Sequence, residues 1–139
     1  MRDLKTDSKR EEIIFGETKD WENSLGGIYR FDKENALDPE TLEKLVVEGY
    51  ADPNEQQNAS PEIQELLNFG KEIEAIFDVQ VKYEGYVVSP NRRDARVSID
   101  TILVEGKDIP DEVKDAFRTE FRRADSYSES DEELFAWWD

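Results

Sequence analysis

Residues 79–106, VQVKYEGYVVSPNRRDARVSIDTILVEG, decide the fold of this chain. They contain two runs in which apolar and polar residues alternate. Such alternation, rich in β-branched and aromatic residues, is typical of strands with one buried face. Pro90 and Asn91 lie between the runs and favour a turn, because proline presets φ and asparagine tolerates a left-handed backbone. The segment therefore predicts a long antiparallel β-hairpin around which the other elements pack.

The register of this hairpin follows from parity, because residues opposite each other in an antiparallel pair share a face. Odd-numbered residues should face odd-numbered residues across a turn of three or five residues, unless a bulge at Gly85 shifts the count. The face that is predicted to be buried carries four apolar residues, Val81, Tyr83, Val97 and Ile99.

The opposite face of the hairpin is predicted to be more exposed and carries Lys82, Ser98 and Asp100. In the expected register, Lys82 lies near Asp100. Ile102 and Val104 make the same face apolar toward the open end of the hairpin. We therefore expect another element to cover that end.

The chain before the hairpin predicts two further short strands and two helices. The strands are expected at residues 11–15 (EEIIF) and 26–31 (GGIYRF). One helix should start at residues 38–40, because Asp38 can cap it and Pro39 suits the first helical position. Residues 60–62 (SPE) repeat this pattern ahead of an amphipathic run that leads into the hairpin.

The chain after the hairpin predicts two more helices. Pro110 opens the third helix, and residues 130–133 (SDEE) match a capping box in front of the apolar residues 134–138 (LFAWW). The predicted fold class is α+β: a small antiparallel sheet, centred on a long hairpin at about 79–105 and packed with three to four helices. We expect residues 1–139 to form a single domain in which the polar residues 1–10 are flexible.

The charge is the strongest signal in the composition, with 35 acidic and 18 basic residues and a formal net charge of −17 at pH 7. Adaptation to high salt explains it if the acids are spread over the surface. A localised acidic surface that imitates nucleic acid or meets a basic partner explains it otherwise. Lysine is as frequent as arginine and glutamate exceeds aspartate, which is not the pattern of an extreme halophile. The acids are nevertheless spread along the chain, which favours adaptation to salt.

The chain contains no histidine and no cysteine. Nucleophilic catalysis that depends on these residues, histidine general bases and ordinary zinc sites are therefore excluded. Glu84 and Glu105 loosely resemble the acidic pair of a magnesium site, but parity places them on opposite faces. The composition also lacks an apolar run long enough to span a membrane, and the first residues lack the apolar core of a signal peptide. We expect a cytoplasmic protein without a cofactor.

Two groups of basic residues are candidates for partner binding. Arg92 and Arg93 lie at the predicted hairpin tip with Arg96 just after it, and three residues form one stripe of the third helix, Lys114, Arg118 and Arg122. Residues 90–124 carry as many basic as acidic residues, so the repulsion from the rest of the chain is relieved there. The alternative is intramolecular pairing, for example of Asp111 with Lys114 and of Asp115 with Arg118.

The aromatic residues near the C-terminus also allow two interpretations. Trp137 and Trp138 are adjacent, so they cannot both point to one side of a helix. One of them is expected to dock on the core, so that the last helix acts as a latch on the sheet. The other either lies across a seam or contacts a partner.

These observations predict a small acidic, non-enzymatic domain that acts by binding a macromolecule, a protein rather than nucleic acid or a membrane. A nucleic-acid-mimicking inhibitor of a DNA- or RNA-binding protein is the alternative. In that case the acidic helices would form the active surface. An enzyme that uses carboxylates and a metal ion is a more distant third.

Overall fold

A computed structural model describes residues 3–139, in which five strands form one antiparallel sheet accompanied by four α-helices. The helices are α1 (Lys9–Phe15), α2 (Pro39–Val47), α3 (Ile63–Ile76) and α4 (Asp111–Phe121). The strands are β1 (Ile28–Phe31), β2 (Gln80–Val88), β3 (Val97–Glu105), β4 (Ser126–Glu129) and β5 (Glu133–Trp137). The strand order is β1-β2-β3-β5-β4, so the predicted α+β class with a central hairpin is confirmed.

The central hairpin contains a β-bulge next to Gly85. Gly85 faces Ile99 whereas Glu84 faces Thr101, so Asp100 is the extra residue of β3. A side chain is not tolerated at Gly85, since a Cβ there would overlap the carbonyl oxygen of Ser98. The turn runs over residues 89–96, so the prediction of a turn of three or five residues is wrong.

The bulge changes which residues of β3 face the core. Beyond it, Tyr83 faces Ile102 and Val81 faces Val104, so even-numbered residues of β3 join the buried face. The prediction that Ile102 and Val104 lie on the opposite face is therefore wrong, because parity does not carry across a bulge. Both side chains are fully buried against the helices.

The same shift separates Lys82 from Asp100. Lys82 faces Leu103, and its Nζ lies 2.8 Å from a carboxylate oxygen of Glu105. Asp100 is instead bound by Arg30 of β1, whose Nη1 and Nη2 donate to its two carboxylate oxygens at 2.7 and 3.1 Å. The predicted proximity of Lys82 and Asp100 is thus wrong.

The predicted buried face of the hairpin is confirmed, because Val81, Tyr83, Val97 and Ile99 are all buried. The prediction that Ser98 and Asp100 are more exposed is wrong. The connection between α2 and α3 covers Ser98, whose hydroxyl donates to carboxylate and amide oxygens of this connection at 3.2 and 3.3 Å. A covering segment so distant in sequence leaves no trace in the pattern of the hairpin.

The helix α2 starts as predicted. Asp38 accepts a hydrogen bond from the N–H of Thr41 at 2.8 Å, and Pro39 is the first helical residue. The helix α3 begins only at Ile63, and a capping box between Glu62 and Glu65 closes its N-terminus. Ser60 does not cap it but is buried in the preceding turn, where its hydroxyl accepts the N–H of Gln57 at 2.8 Å.

The strand predicted at residues 11–15 is wrong, since they belong to α1. Lysine, arginine and glutamate at its start are strong helix formers, and Gly16 ends the helix in the left-handed conformation at φ 77°.

Within the segment predicted to be flexible, residues 1 and 2 lie outside the described part. Arg10 is fully buried, and its Nη2 donates to the carbonyl of Val88 at 2.9 Å. The strand predicted at residues 26–31 is confirmed as β1.

The helix predicted after residues 130–133 is also wrong, because Glu133–Trp137 form the strand β5 between β3 and β4. The hydroxyl of Ser130 accepts the N–H groups of Glu132 and Glu133 at 3.3 and 3.0 Å, as in a helix cap. Here these bonds close the turn of a β4–β5 hairpin instead. Tertiary pairing with β3 therefore overrides the local capping signal.

The helices pack on the buried face of the sheet. An aromatic cluster joins α3 and α4, in which Phe69 lies 4.9 Å from Phe121 and Phe117 lies 4.9 Å from Phe121 between ring centroids. Trp138 extends the cluster, with its ring 5.8 Å from that of Phe121. In residues 3–139 no helix is both long enough and apolar enough to cross a membrane.

Candidate interaction surfaces

Two of the three arginines of the hairpin turn bind carboxylates of the same molecule. Arg92 donates to both carboxylate oxygens of Asp94 at 2.9 and 2.8 Å. Arg96 lies 3.1 Å from Asp94 and 3.4 Å from Glu55. Burial raises the pKa of Glu55, against the opposing effect of a hydrogen bond and of the Arg96 charge. Arg93 is exposed and forms no ion pair within residues 3–139.

The basic residues of α4 are engaged in a similar way. The Nζ of Lys114 lies 2.5 Å from Asp131 and lowers the pKa of that carboxylate, so its ion pair is formed with Asp131 and not with Asp111 as expected. Arg118 pairs with Asp115 at 2.9 Å, as predicted for intramolecular pairing, and also with Glu129 at 2.5 Å. Arg122 is exposed and has no ion pair within the described chain.

The two basic groups do not form one continuous surface. Asp131, the ion partner of Lys114, lies in the turn between β4 and β5, and Glu129, one partner of Arg118, lies just before it. This turn is beside the end of β3, where Glu105 faces Glu133. Arg92 and Arg96 lie at the opposite end of β3, before Val97. Most of the length of the nine-residue strand β3 therefore separates Lys114 and Arg118 from Arg92 and Arg96.

Basic and acidic side chains differ in how often they form internal ion pairs. In the described chain most of the basic side chains form ion pairs, whereas most of the 35 acidic side chains do not. Two acids without an ion pair within residues 3–139, Glu72 and Glu120, line a groove between α3 and α4. The other residues of this groove are Phe69, Ile73, Ala116, Thr119 and the paired Asp115. The groove thus combines apolar side chains with three carboxylates.

A second surface is the outer face of the sheet, which points away from the helices. Leu103 faces Phe135, and Thr101 faces Trp137, across the pairing of β3 with β5. Leu103, Phe135 and Trp137 are half-buried there, and we call these three residues the aromatic stripe. The two tryptophans are therefore separated by the sheet, with Trp138 in the core and Trp137 on the outer face.

Four acidic residues line one pocket with Leu103 on this face, and we call them the acidic rim: Glu34, Glu84, Glu105 and Glu133. Glu105 is paired with Lys82, and Glu84 accepts the backbone N–H of Lys33 at 3.0 Å. Glu34 and Glu133 have no ion pair within residues 3–139. The outer face thus carries the aromatic stripe with a mainly acidic border beside Leu103.

Sequence reasoning missed the aromatic stripe because it assigned residues 134–138 to a helix. In a strand, Phe135 and Trp137 share one face while Leu134, Ala136 and Trp138 share the other. A run of five apolar residues also fits a strand covered on both faces, and its length is short for a helix. The sequence therefore contains a signal for the strand, but it does not show which strands lie beside it.

The bulge also changes the placement of Glu84 and Glu105. Both lie on the outer face, so the prediction of opposite faces is wrong. Within residues 3–139 no group of three or more acidic residues is arranged to hold a metal ion.

The chain matches no protein-family model, no curated protein and no solved structure. Its function therefore has to be inferred from geometry and charge.

Proposed function

We propose that this chain is a non-enzymatic binding domain that docks on a positively charged surface of another protein. The proposal rests on the difference between basic and acidic side chains in internal ion pairing. Most basic side chains of the described part are neutralised by internal ion pairs, and most carboxylates are left to solvent. A surface of this kind attracts basic proteins over a long range and repels nucleic acid.

The residue types present support binding rather than catalysis. Histidine and cysteine are absent from the sequence, so the commonest general base and the commonest thiol nucleophile are missing. Burial raises the pKa of Tyr83 and encloses its hydroxyl, so this group is not open to a substrate. The hydroxyl donates to the carbonyl of Leu66 at 2.7 Å.

Affinity capture from the native host tests the proposal. We expect the captured partner to be basic and to be released as the salt concentration rises from about 0.05 M to about 0.5 M, because screening shortens the range of the attraction. An acidic partner, or a complex indifferent to salt over that range, would contradict the proposal. Neutralising Glu72 and Glu120 in a Glu72→Gln/Glu120→Gln variant should slow association even if these residues lie outside the contact.

Arg93 and Arg122 stay candidate contacts within the same function. Both are exposed and have no ion pair within residues 3–139, and arginine can bind a carboxylate of the partner through two hydrogen bonds. The other four predicted residues, Arg92, Arg96, Lys114 and Arg118, would have to exchange an internal partner for an external one. Arg93→Glu and Arg122→Glu are the reversals that spare the internal network, and unchanged affinity would remove both residues from the interface.

The nucleic-acid mimic is the second candidate, and the groove between α3 and α4 favours it. The carboxylates of Glu72, Asp115 and Glu120 line one groove, and Asp115 among them is paired with Arg118. In this case the partner is a DNA- or RNA-binding protein, and a short oligonucleotide competes with this chain for it. Absence of competition at low salt would exclude mimicry and leave the broader proposal intact.

A further inference from the structure

We infer that the aromatic stripe is the docking surface for the basic partner, and that the partner inserts an apolar side chain flanked by lysine or arginine. This inference rests on the proposed function and adds where the contact lies and what chemistry it recognises. The stripe consists of Leu103, Phe135 and Trp137 on the two neighbouring strands β3 and β5.

The register of the sheet brings these side chains together. Three cross-strand rows follow one another on the outer face, namely Glu84–Thr101–Trp137, then Lys82–Leu103–Phe135, and then Gln80–Glu105–Glu133. On the far side, β4 places Ser126 opposite Trp137 and Ser128 opposite Phe135. Because serine side chains are small, the flanks of both rings stay accessible to a partner.

Within residues 3–139, a connecting segment covers one end of this face. Gln57, in the connection between α2 and α3, accepts a hydrogen bond from the hydroxyl of Tyr86 at 2.6 Å, and Ser98 binds the same connection. The aromatic stripe lies further along the strands, beyond the bulge at Asp100. An antiparallel sheet with one open face normally carries polar residues there, whereas Phe135 and Trp137 keep part of their apolar surface exposed on this one.

Charge complementarity identifies the occupant. The acidic rim outnumbers the basic residues beside it, Lys33 and Lys82, and Glu34 and Glu133 are unpaired in the described chain. Aromatic residues within a charged rim are the usual composition of a protein–protein hot spot. A second copy of this chain is disfavoured, because each copy carries a net charge of −17.

A random peptide library displayed on phage is the probe, panned against the full chain. We expect the enriched peptides to combine lysine or arginine with a large apolar residue. Their affinity should fall at least about tenfold in the variant Leu103→Ser/Phe135→Ser. Because this variant loses partly buried surface, Glu34→Lys/Glu133→Lys provides a second test, since both side chains are exposed and the core is not touched. The matched control is Glu72→Gln/Glu120→Gln in the helix groove, which slows association through the loss of charge but removes no contact of the proposed site.

The inference holds if both outer-face variants lose binding while the control keeps most of its affinity, and if the melting temperature of the rim variant is not lowered. Enrichment of acidic peptides, no enrichment, or peptides lost only with the control variant would overturn it. A salt-sensitive dimer that the rim variant dissociates would assign the face to a second copy and overturn it as well. If the native partner binds in a salt-dependent manner but ignores both outer-face variants, the docking site is wrong and the proposed function stands.

Discussion

Gly70 and Tyr83 lie against each other where α3 crosses β2. The hydroxyl of Tyr83 donates to the carbonyl of Leu66 at 2.7 Å, and a Cβ at Gly70 would overlap that hydroxyl oxygen. Glycine inside a helix is about 1 kcal/mol less favourable than alanine, so its presence here requires a packing reason. The close approach of the tyrosine to the helix backbone supplies that reason.

We predict that Gly70→Ala lowers the free energy of unfolding by about 1–3 kcal/mol, since overpacking outweighs the gain in helix propensity. In a Tyr83→Phe background the same substitution should cost less, because the overlapping hydroxyl is gone. Urea unfolding of the four proteins forms a double-mutant cycle that measures this coupling. Additive effects would mean that the hydroxyl is not what excludes alanine.

Three tyrosines link stability to alkaline pH. Burial raises the pKa of Tyr83 far above its usual value, with the charge of Glu74 contributing. Burial and a hydrogen bond to Asp7 raise the pKa of Tyr50 to about 12. Burial and a hydrogen bond to Glu129 raise the pKa of Tyr127 to about 12 as well.

In the unfolded chain these phenols ionise with a pKa of about 10. We therefore predict that the tyrosines contribute fully to the free energy of unfolding below pH about 10, and that this contribution is lost as the pH rises through about 12. Urea unfolding at a series of alkaline pH values measures the loss. Tyr83→Phe should be less stable than the wild type at neutral pH and should lose less stability above pH 10. Identical pH slopes for the two proteins would contradict the assignment to Tyr83.

The burial of a hairpin residue was predictable where it depends only on the hairpin itself. Val81 and Ile99 are buried as their parity indicates. Ser98 and Asp100 were not predictable, since the residues that bury them, Glu55 and Arg30, come from segments remote in sequence. A bulge adds to the difficulty because it reverses parity without changing composition.

At the level of elements, β5 is the strand that holds the C-terminal part of the sheet together. It pairs with β3 on one side and β4 on the other, and it buries Leu134, Ala136 and Trp138. The N–H of Trp138 also donates to the carbonyl of Asp100 at 2.9 Å, which fixes the strand beside the bulge. Deleting residues 134–139 should therefore unfold the sheet rather than free a latch.

The two tryptophans should respond differently to truncation. We predict that Trp138→Ala costs about 3–5 kcal/mol of unfolding free energy, because it opens the aromatic cluster at Phe121. Trp137→Ala should cost no more than about 1 kcal/mol, as expected at a partly exposed position. Guanidinium unfolding followed by circular dichroism measures both. Equal losses would show that the outer face is as tightly packed as the core.

Elements were predictable where local signals and tertiary structure agree. Asp38 and Pro39 start α2 as expected, since the cap lies entirely within the helix sequence. The segments α1 and β5 were assigned to the wrong type, because short apolar runs fit both a helix and a strand. For β5 the decision comes from pairing with β3, which no local pattern contains.

At the level of the whole molecule, the α+β class followed from one long hairpin and its amphipathic helices. The aromatic stripe did not, because it exists only once the strand order places Phe135 beside Leu103. The basic residues were visible in the sequence, but their internal partners were not. Only the folded structure therefore shows which charged residues are exposed and which already bind an internal partner.

The net charge of −17 sets the conditions under which this fold is stable. Unpaired carboxylates repel one another over a Debye length of about 30 Å in 0.01 M salt but only about 3 Å in 1 M salt. Salt also weakens surface ion pairs such as Lys82–Glu105, but each exposed pair contributes at most about 1 kcal/mol. We therefore predict that the melting temperature rises steeply with sodium chloride and rises less in Glu72→Gln/Glu120→Gln. Thermal unfolding in sodium chloride, with sucrose as the uncharged control, measures this dependence. A melting temperature that does not change with salt would count against adaptation to salt and would favour a localised acidic surface.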